Sequence, residues 1–269
     1  MRFVTYDAGS GARAGFLRGE NRVVDVGESL RALIAAGPLH EPADGEELAL
    51  SDVRLLPPIP DPDKIICIGL NYRSHAAEAG VEAPETPTFF AKFRNALVPA
   101  GSAVKLPAAS QKVDYEAEVA FVVGRRAKEV SEADALGHIA GYTLLNDLSA
   151  RDLQFATPQW IPGKVFDGSA PCGPALVTPD EAGPPDAIEI ELALNGEVMQ
   201  SAATSDLIHS IPKLLAHLST LMTLEPGDIV STGTPSGVGS VREPRVWLEP
   251  GDEIEISSPT LGTLRTSIA

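Results

Sequence analysis

The stretch Asp114–Val123, DYEAEVAFVV, puts Glu116 and Glu118 on one face of an extended chain and Ala117, Val119 and Phe121 on the other. That period of two predicts a half-buried strand, with two carboxylates side by side over an apolar back. Like charges so close repel and raise each other's pKa unless a positive charge sits between them. A divalent cation would supply it, and oxygen ligands suit magnesium, manganese or calcium better than zinc. Two ordinary glutamates on a solvated strand face remain the alternative from this stretch alone.

Outward from it, strand signals dominate. RFVTY, AGFLR and RVVDV near the N-terminus are short strand-like runs, and SLRALIAAG is a short helix ended by Gly37. The proline-rich Pro57–Asp63, PPIPDPD, suggests a boundary between a small N-terminal α+β domain, residues 1–60, and a second domain, 61–269. There KIICIGLNY, PTFFAKF and IAGYTLLND read as strands, and RSHAAEAG as a short helix that puts His75 and Glu78 on one face. IEIELALNGEVMQ is a hairpin turning at Asn195-Gly196. SIPKLLAHLSTLMTL has helical spacing with Pro212 in its first turn. LEPGDIV and LEPGDEIEI echo each other as turn-then-strand units. The fold class is therefore β-rich α+β with a mixed sheet.

The 269 residues carry 43% hydrophobic side chains and a formal net charge of −16. Such acidity argues against nucleic acid and against an anionic membrane surface. Cys67 and Cys172 form neither a disulfide framework nor a zinc spacing. No secretory-type apolar run opens the chain and no run reaches transmembrane length, so a cytoplasmic protein is expected.

GLNYRSHAAE, DYEAEVAFVVG, LLNDLSARDLQ, GKVFDGSAPCGP and STGTPSGVG, in this order, resemble the fumarylacetoacetate hydrolase family from Lys64 to the C-terminus. The branch resembled is that of the acylpyruvases and 2-hydroxyhepta-2,4-diene-1,7-dioate isomerases. The resemblance implies a mixed β-roll or β-sandwich catalytic domain, paired in a homodimer. It places a Mg²⁺ or Mn²⁺ ion, with Ca²⁺ a stand-in in crystals, on Glu116, Glu118 and Asp147. It makes His75 and Glu78 a catalytic dyad with Lys164, and gives Arg151, Gln154 and Thr234 to substrate binding.

Three carboxylates and a divalent ion suit a small 2-oxo or diketo acid that chelates through two oxygens. The activity expected first is hydrolysis of a C–C bond in an acylpyruvate, with water activated by His75 and a metal-stabilised enolate leaving. Oxaloacetate decarboxylation, dioate isomerisation on the same site, and a non-catalytic metabolite-binding role are the alternatives. Arg151 and Lys164 are expected to neutralise the substrate carboxylate and oxyanion. Selectivity is expected from the loops around 73–87 and 155–162.

Overall fold

In the computed structural model, which describes residues 1–27 and 29–269, strand Ala117–Val123 runs through the middle of the larger of two main sheets. It pairs antiparallel with Ile139–Asn146 on one side and with Ile229–Ser231 on the other. Beyond Ile229–Ser231 lie Ile65–Gly69, in parallel, and then the edge strand Thr88–Lys92. On the opposite flank the sheet continues through Ala170–Val177 to Arg2–Asp7 and the strands Ala12–Arg18 and Arg22–Gly27. The strands before Pro57 thus extend the sheet that carries the acidic stretch. A second, five-stranded sheet holds the hairpin Glu189–Leu194/Glu197–Ala203, followed by Glu253–Ser258, Gly262–Ile268 and Ser102–Val104. The protein is mostly β, with few helices.

The two faces of the central strand meet different cores. Val119, Phe121 and Val123 pack in the main cluster with Ile190, Leu192, Ile254 and Ile256 of the second sheet. Ala120 and Val122 pack with Phe3, Leu30, Ile34 and Ile59 of the N-terminal unit. Alternation predicted one buried face, but every residue from Ala117 to Val123 is buried. The reason is that the N-terminal strands and the helix Leu30–Ala36 cover the face that an isolated second domain would leave open. Glu118 is consequently an interior residue, and the solvated-face alternative is excluded.

Local expectations hold for the principal elements. Asn195 and Gly196 both take positive φ, 52° and 84°, as a two-residue hairpin turn needs. Ser210 caps helix Ile211–Leu221 by accepting from Lys213 N–H. The two LEPGD echoes fold alike. Asp228 Oδ2 accepts from Glu225 N–H and Asp252 Oδ2 from Glu249 N–H, each at 2.8 Å.

Candidate metal centre and its cavity

Register brings the acidic groups together. Ala117 pairs with Asn146, so Glu116 and Asp147 are adjacent across the strands, and Asp147 N–H donates to Glu116 C=O at 2.9 Å. A small ladder of Val113–Asp114 with Ser149–Ala150 brings Asp114 to the root of Arg151. Glu116, Glu118 and Asp147 each offer a carboxylate oxygen, all within 4.8 Å of one another, and all three residues are buried.

Three buried cations interlock with these acids. Lys164 Nζ donates to Glu116 Oε2 at 2.8 Å, Asp147 Oδ2 at 3.0 Å and Ser149 Oγ at 2.6 Å. The ammonium also stands 4.9 Å from the centre of the Phe90 ring. Arg151 donates from Nη2 to Glu116 Oε1 and from Nε to Asp114 Oδ1, both at 2.6 Å, and from Nη1 to Gln154 Oε1 at 2.9 Å. Lys92 donates to the backbone oxygens of Lys164 and Ser169 and lies 2.8 Å from Asp147 Oδ1. That last contact is an ion pair without hydrogen-bond alignment, since Asp147 Oδ1 has no hydrogen-bond partner.

The charges are unevenly answered. Burial pushes the Glu116 pKa up, but Lys164 and Arg151 outweigh it and bring it down to about 2. Burial raises Glu118 well above the usual carboxylate range, and the charges of Asp147 and Glu116 raise it further. Among the described residues, only the Ser231 hydroxyl and the Gly233 N–H, the latter at 3.2 Å, donate to the Glu118 carboxylate. Among the described residues no lysine, arginine or histidine pairs with it. A buried Glu118 carboxylate without a counter-charge, beside an Asp147 oxygen that meets Lys92 without hydrogen-bond alignment, is costly unless a further cation joins them. The donor set, all oxygen, fits a hard divalent cation.

Above this floor opens a cavity of about 550 Å³. Glu116, Glu118, Lys164, Arg151, Gln154 and Thr234 all line it, together with His75. Glu78 stands behind the wall and reaches it through His75, whose Nδ1 is 3.2 Å from Glu78 Oε2. The other Glu78 oxygen accepts from Gly237 N–H at 2.9 Å. Gly237 has φ +102°, and a Cβ there would meet Met199 C=O at 2.1 Å, so only glycine presents that N–H. The helix Arg73–Glu78 is held at its start as well, where Ser74 N–H donates to Asp206 at 3.0 Å.

Several contributors had no sequence signal. Gln200 accepts from Ala117 N–H and donates to Thr234 Oγ1, both at 2.9 Å, tying the Thr234 loop to the acidic strand. Its partners lie 83 and 34 residues away in the chain, beyond any local pattern. Lys92 was visible only as a lysine in a strand. Of the anticipated selectivity loops, Ala79, Val81, Phe155 and Trp160 do reach the cavity, but Val241, Arg245 and Trp247 bring a third loop.

Residues 64–269 match the model of the fumarylacetoacetate hydrolase C-terminal domain, and residues 1–58 match the Rv2993c-like N-terminal model. The chain belongs to the fumarylacetoacetate hydrolase family. Within that family it is 43% identical to a mitochondrial oxaloacetate tautomerase of Bos taurus over 219 residues, covering 81% of this chain and 70% of the other. It is 42% identical over 236 residues to a fumarylacetoacetate hydrolase domain-containing protein 2 homolog of Dictyostelium discoideum, covering 84% and 77%. A solved 2-hydroxyhepta-2,4-diene-1,7-dioate isomerase of Mycobacterium marinum superposes with TM-score 0.85 at 34% identity, over 100% of this chain and 98% of that one. A fumarylacetoacetate hydrolase of Exiguobacterium antarcticum gives TM-score 0.88 at 33% identity, over 100% and 99%.

Proposed function

We propose that this protein is a divalent-metal-dependent enzyme that moves a proton to or from a small 2-oxo acid, as a tautomerase or isomerase does. The carrying observation is that one cavity joins the Glu116–Glu118–Asp147 cluster to the His75–Glu78 pair. A divalent ion held by the three carboxylates would supply Lewis-acid stabilisation of negative charge developing on the substrate's oxygens. An ionised carboxylate only accepts hydrogen bonds, so Glu78 fixes the proton of His75 on Nδ1 and leaves the Nε2 lone pair to take one. His75 is then the base that removes a proton beside the substrate carbonyl and the acid that returns it at another atom. Lys164 and Arg151 keep Glu116 ionised as a ligand. The names of the oxaloacetate tautomerase and dioate isomerase relatives support this assignment.

Hydrolysis of an acylpyruvate is the second reading. The same pair favours it, because His75 could equally take its proton from water, which would then attack the distal carbonyl. The two readings part in deuterium oxide. With Mn²⁺ and oxaloacetate, proton transfer predicts rapid enzyme-dependent exchange at C3, followed by NMR and lost in His75→Ala. Pyruvate release from acetylpyruvate without exchange into oxaloacetate would instead select the hydrolase, and neither reaction would reject both. The reading extends to a catalytic domain from residue 61 onward and a homodimer, testable by light scattering.

A further inference from the structure

Four lysine and arginine side chains line the cavity, and they fall into two classes. Lys164 and Arg151 are buried, and their nitrogens are bonded to Glu116, Asp147, Asp114 and neighbouring polar groups. Lys112 and Arg245 line the same space from exposed positions, and among the described residues neither side chain has an ion pair or a hydrogen bond. Their backbones are nevertheless fixed. Lys112 C=O accepts from Arg151 N–H at 2.8 Å, and Val246 N–H, next to Arg245, donates to Gly239 C=O at 3.0 Å. Asp152, which also lines this space, accepts from Ser110 Oγ at 2.5 Å.

The charge count on the floor explains what these two cations are for. Asp114, Glu116, Glu118 and Asp147 face Lys92, Arg151 and Lys164, which leaves one negative charge in excess when all are ionised. A divalent ion turns that into one positive charge, which one substrate carboxylate balances. A second carboxylate needs cations of its own, and much of the remaining lining is apolar, with Phe90, Trp160, Val241 and Trp247.

We propose that Lys112 and Arg245 form a second anion subsite that selects 2-oxo acids carrying a carboxylate at the far end over those ending in an apolar chain. This rests on the functional reading above, which leaves the distal half of the substrate open. The two residues set specificity and take no part in the proton transfer.

The matched probes are 2-oxoadipate and 2-oxohexanoate, equal in carbon chain and differing in the terminal carboxylate, with oxalate to report on the metal end alone. Each is titrated calorimetrically into the Mn²⁺-loaded protein. The diacid should bind the wild type about tenfold more tightly or better, the gain expected of one charge-assisted hydrogen bond. The preference should fall with added salt and shrink to near unity in Lys112→Gln/Arg245→Gln, while oxalate affinity stays within about twofold of wild type, as expected when the lost charges lie outside the metal site. Both substitutions are at exposed positions, and oxalate binding by the variant verifies that its metal end is intact. Oxalate binding with equal affinities for the two six-carbon acids, or a diacid preference surviving the double substitution, overturns the subsite alone. Failure of the wild type to bind oxalate with Mn²⁺ overturns the functional reading and the subsite with it.

Discussion

The floor and the rim of this cavity are built on opposite terms. On the floor, Glu118, Asp147, Lys92 and Lys164 are each at most 2% exposed and sit on or beside the main sheet, where Lys92 and Lys164 pair with Asp147 and Lys164 also pairs with Glu116. On the rim, His75 is carried by a six-residue helix, Phe155 is 65% exposed, and the side chains of Lys112 and Arg245 have no partner among the described residues. A floor that cannot rearrange suits chemistry common to many keto acids. A rim of short helices and loops can change without cost to the core, and so suits the choice among them.

The contrast should show most strongly in stability. Asp147→Asn leaves Lys92 and Lys164 buried without one of their counter-charges, and breaking a buried pair costs about 3–5 kcal/mol. Urea unfolding of the metal-free variant should record a loss of that order, and wild-type stability would mean the floor is not interlocked as described. His75→Ala should do the reverse. Turnover should drop by about 10²–10⁴, as for loss of a positioned general base, while Tm and Mn²⁺ affinity barely move. A large fall in stability or metal affinity would move His75 from the rim to the floor.

A smaller effect concerns protons. Glu118 is held above the usual carboxylate range by burial and by the charges of Asp147 and Glu116. Its proton must leave for the carboxylate to bind metal, so Mn²⁺ affinity should fall as pH falls through that raised pKa and proton release should accompany binding. Titration in buffers of different ionisation enthalpy measures the release, and its absence would contradict a Glu118 that is protonated before the ion arrives. Smallest of all, Phe155→Ala should alter stability by no more than about 0.5 kcal/mol, as for most exposed positions, while changing KM for substrates with an apolar tail.

The sequence disclosed the floor far better than the rim. Alternation in DYEAEVAFVV placed Glu116 and Glu118 together, and the end of IAGYTLLND placed Asp147 at a strand terminus, so pairing of two strands sufficed to join them. The spacing of His75 and Glu78 was legible because a single helical turn contains both. Hidden were features made by long-range contact. Burial of the second face of Ala117–Val123 depends on Phe3, Ile34 and Ile59, which no local period connects to it. The ties of Gln200 and the placing of Lys92 beside Asp147 join residues tens of positions apart. Arg151 and Lys164 were expected to meet the substrate, yet their nitrogens are engaged by protein carboxylates. Nothing in their spacing could show that, because Asp114 reads as the start of a strand until its partner is known.

Calorimetric titration of Mn²⁺, followed by oxalate, tests the central claim most directly. One ion should bind per chain, oxalate should bind only after it, and Asp147→Asn should abolish both events. Oxalate binding of equal strength without metal, or a wild-type chain that takes up no ion, would contradict a keto-acid site built on Glu116, Glu118 and Asp147.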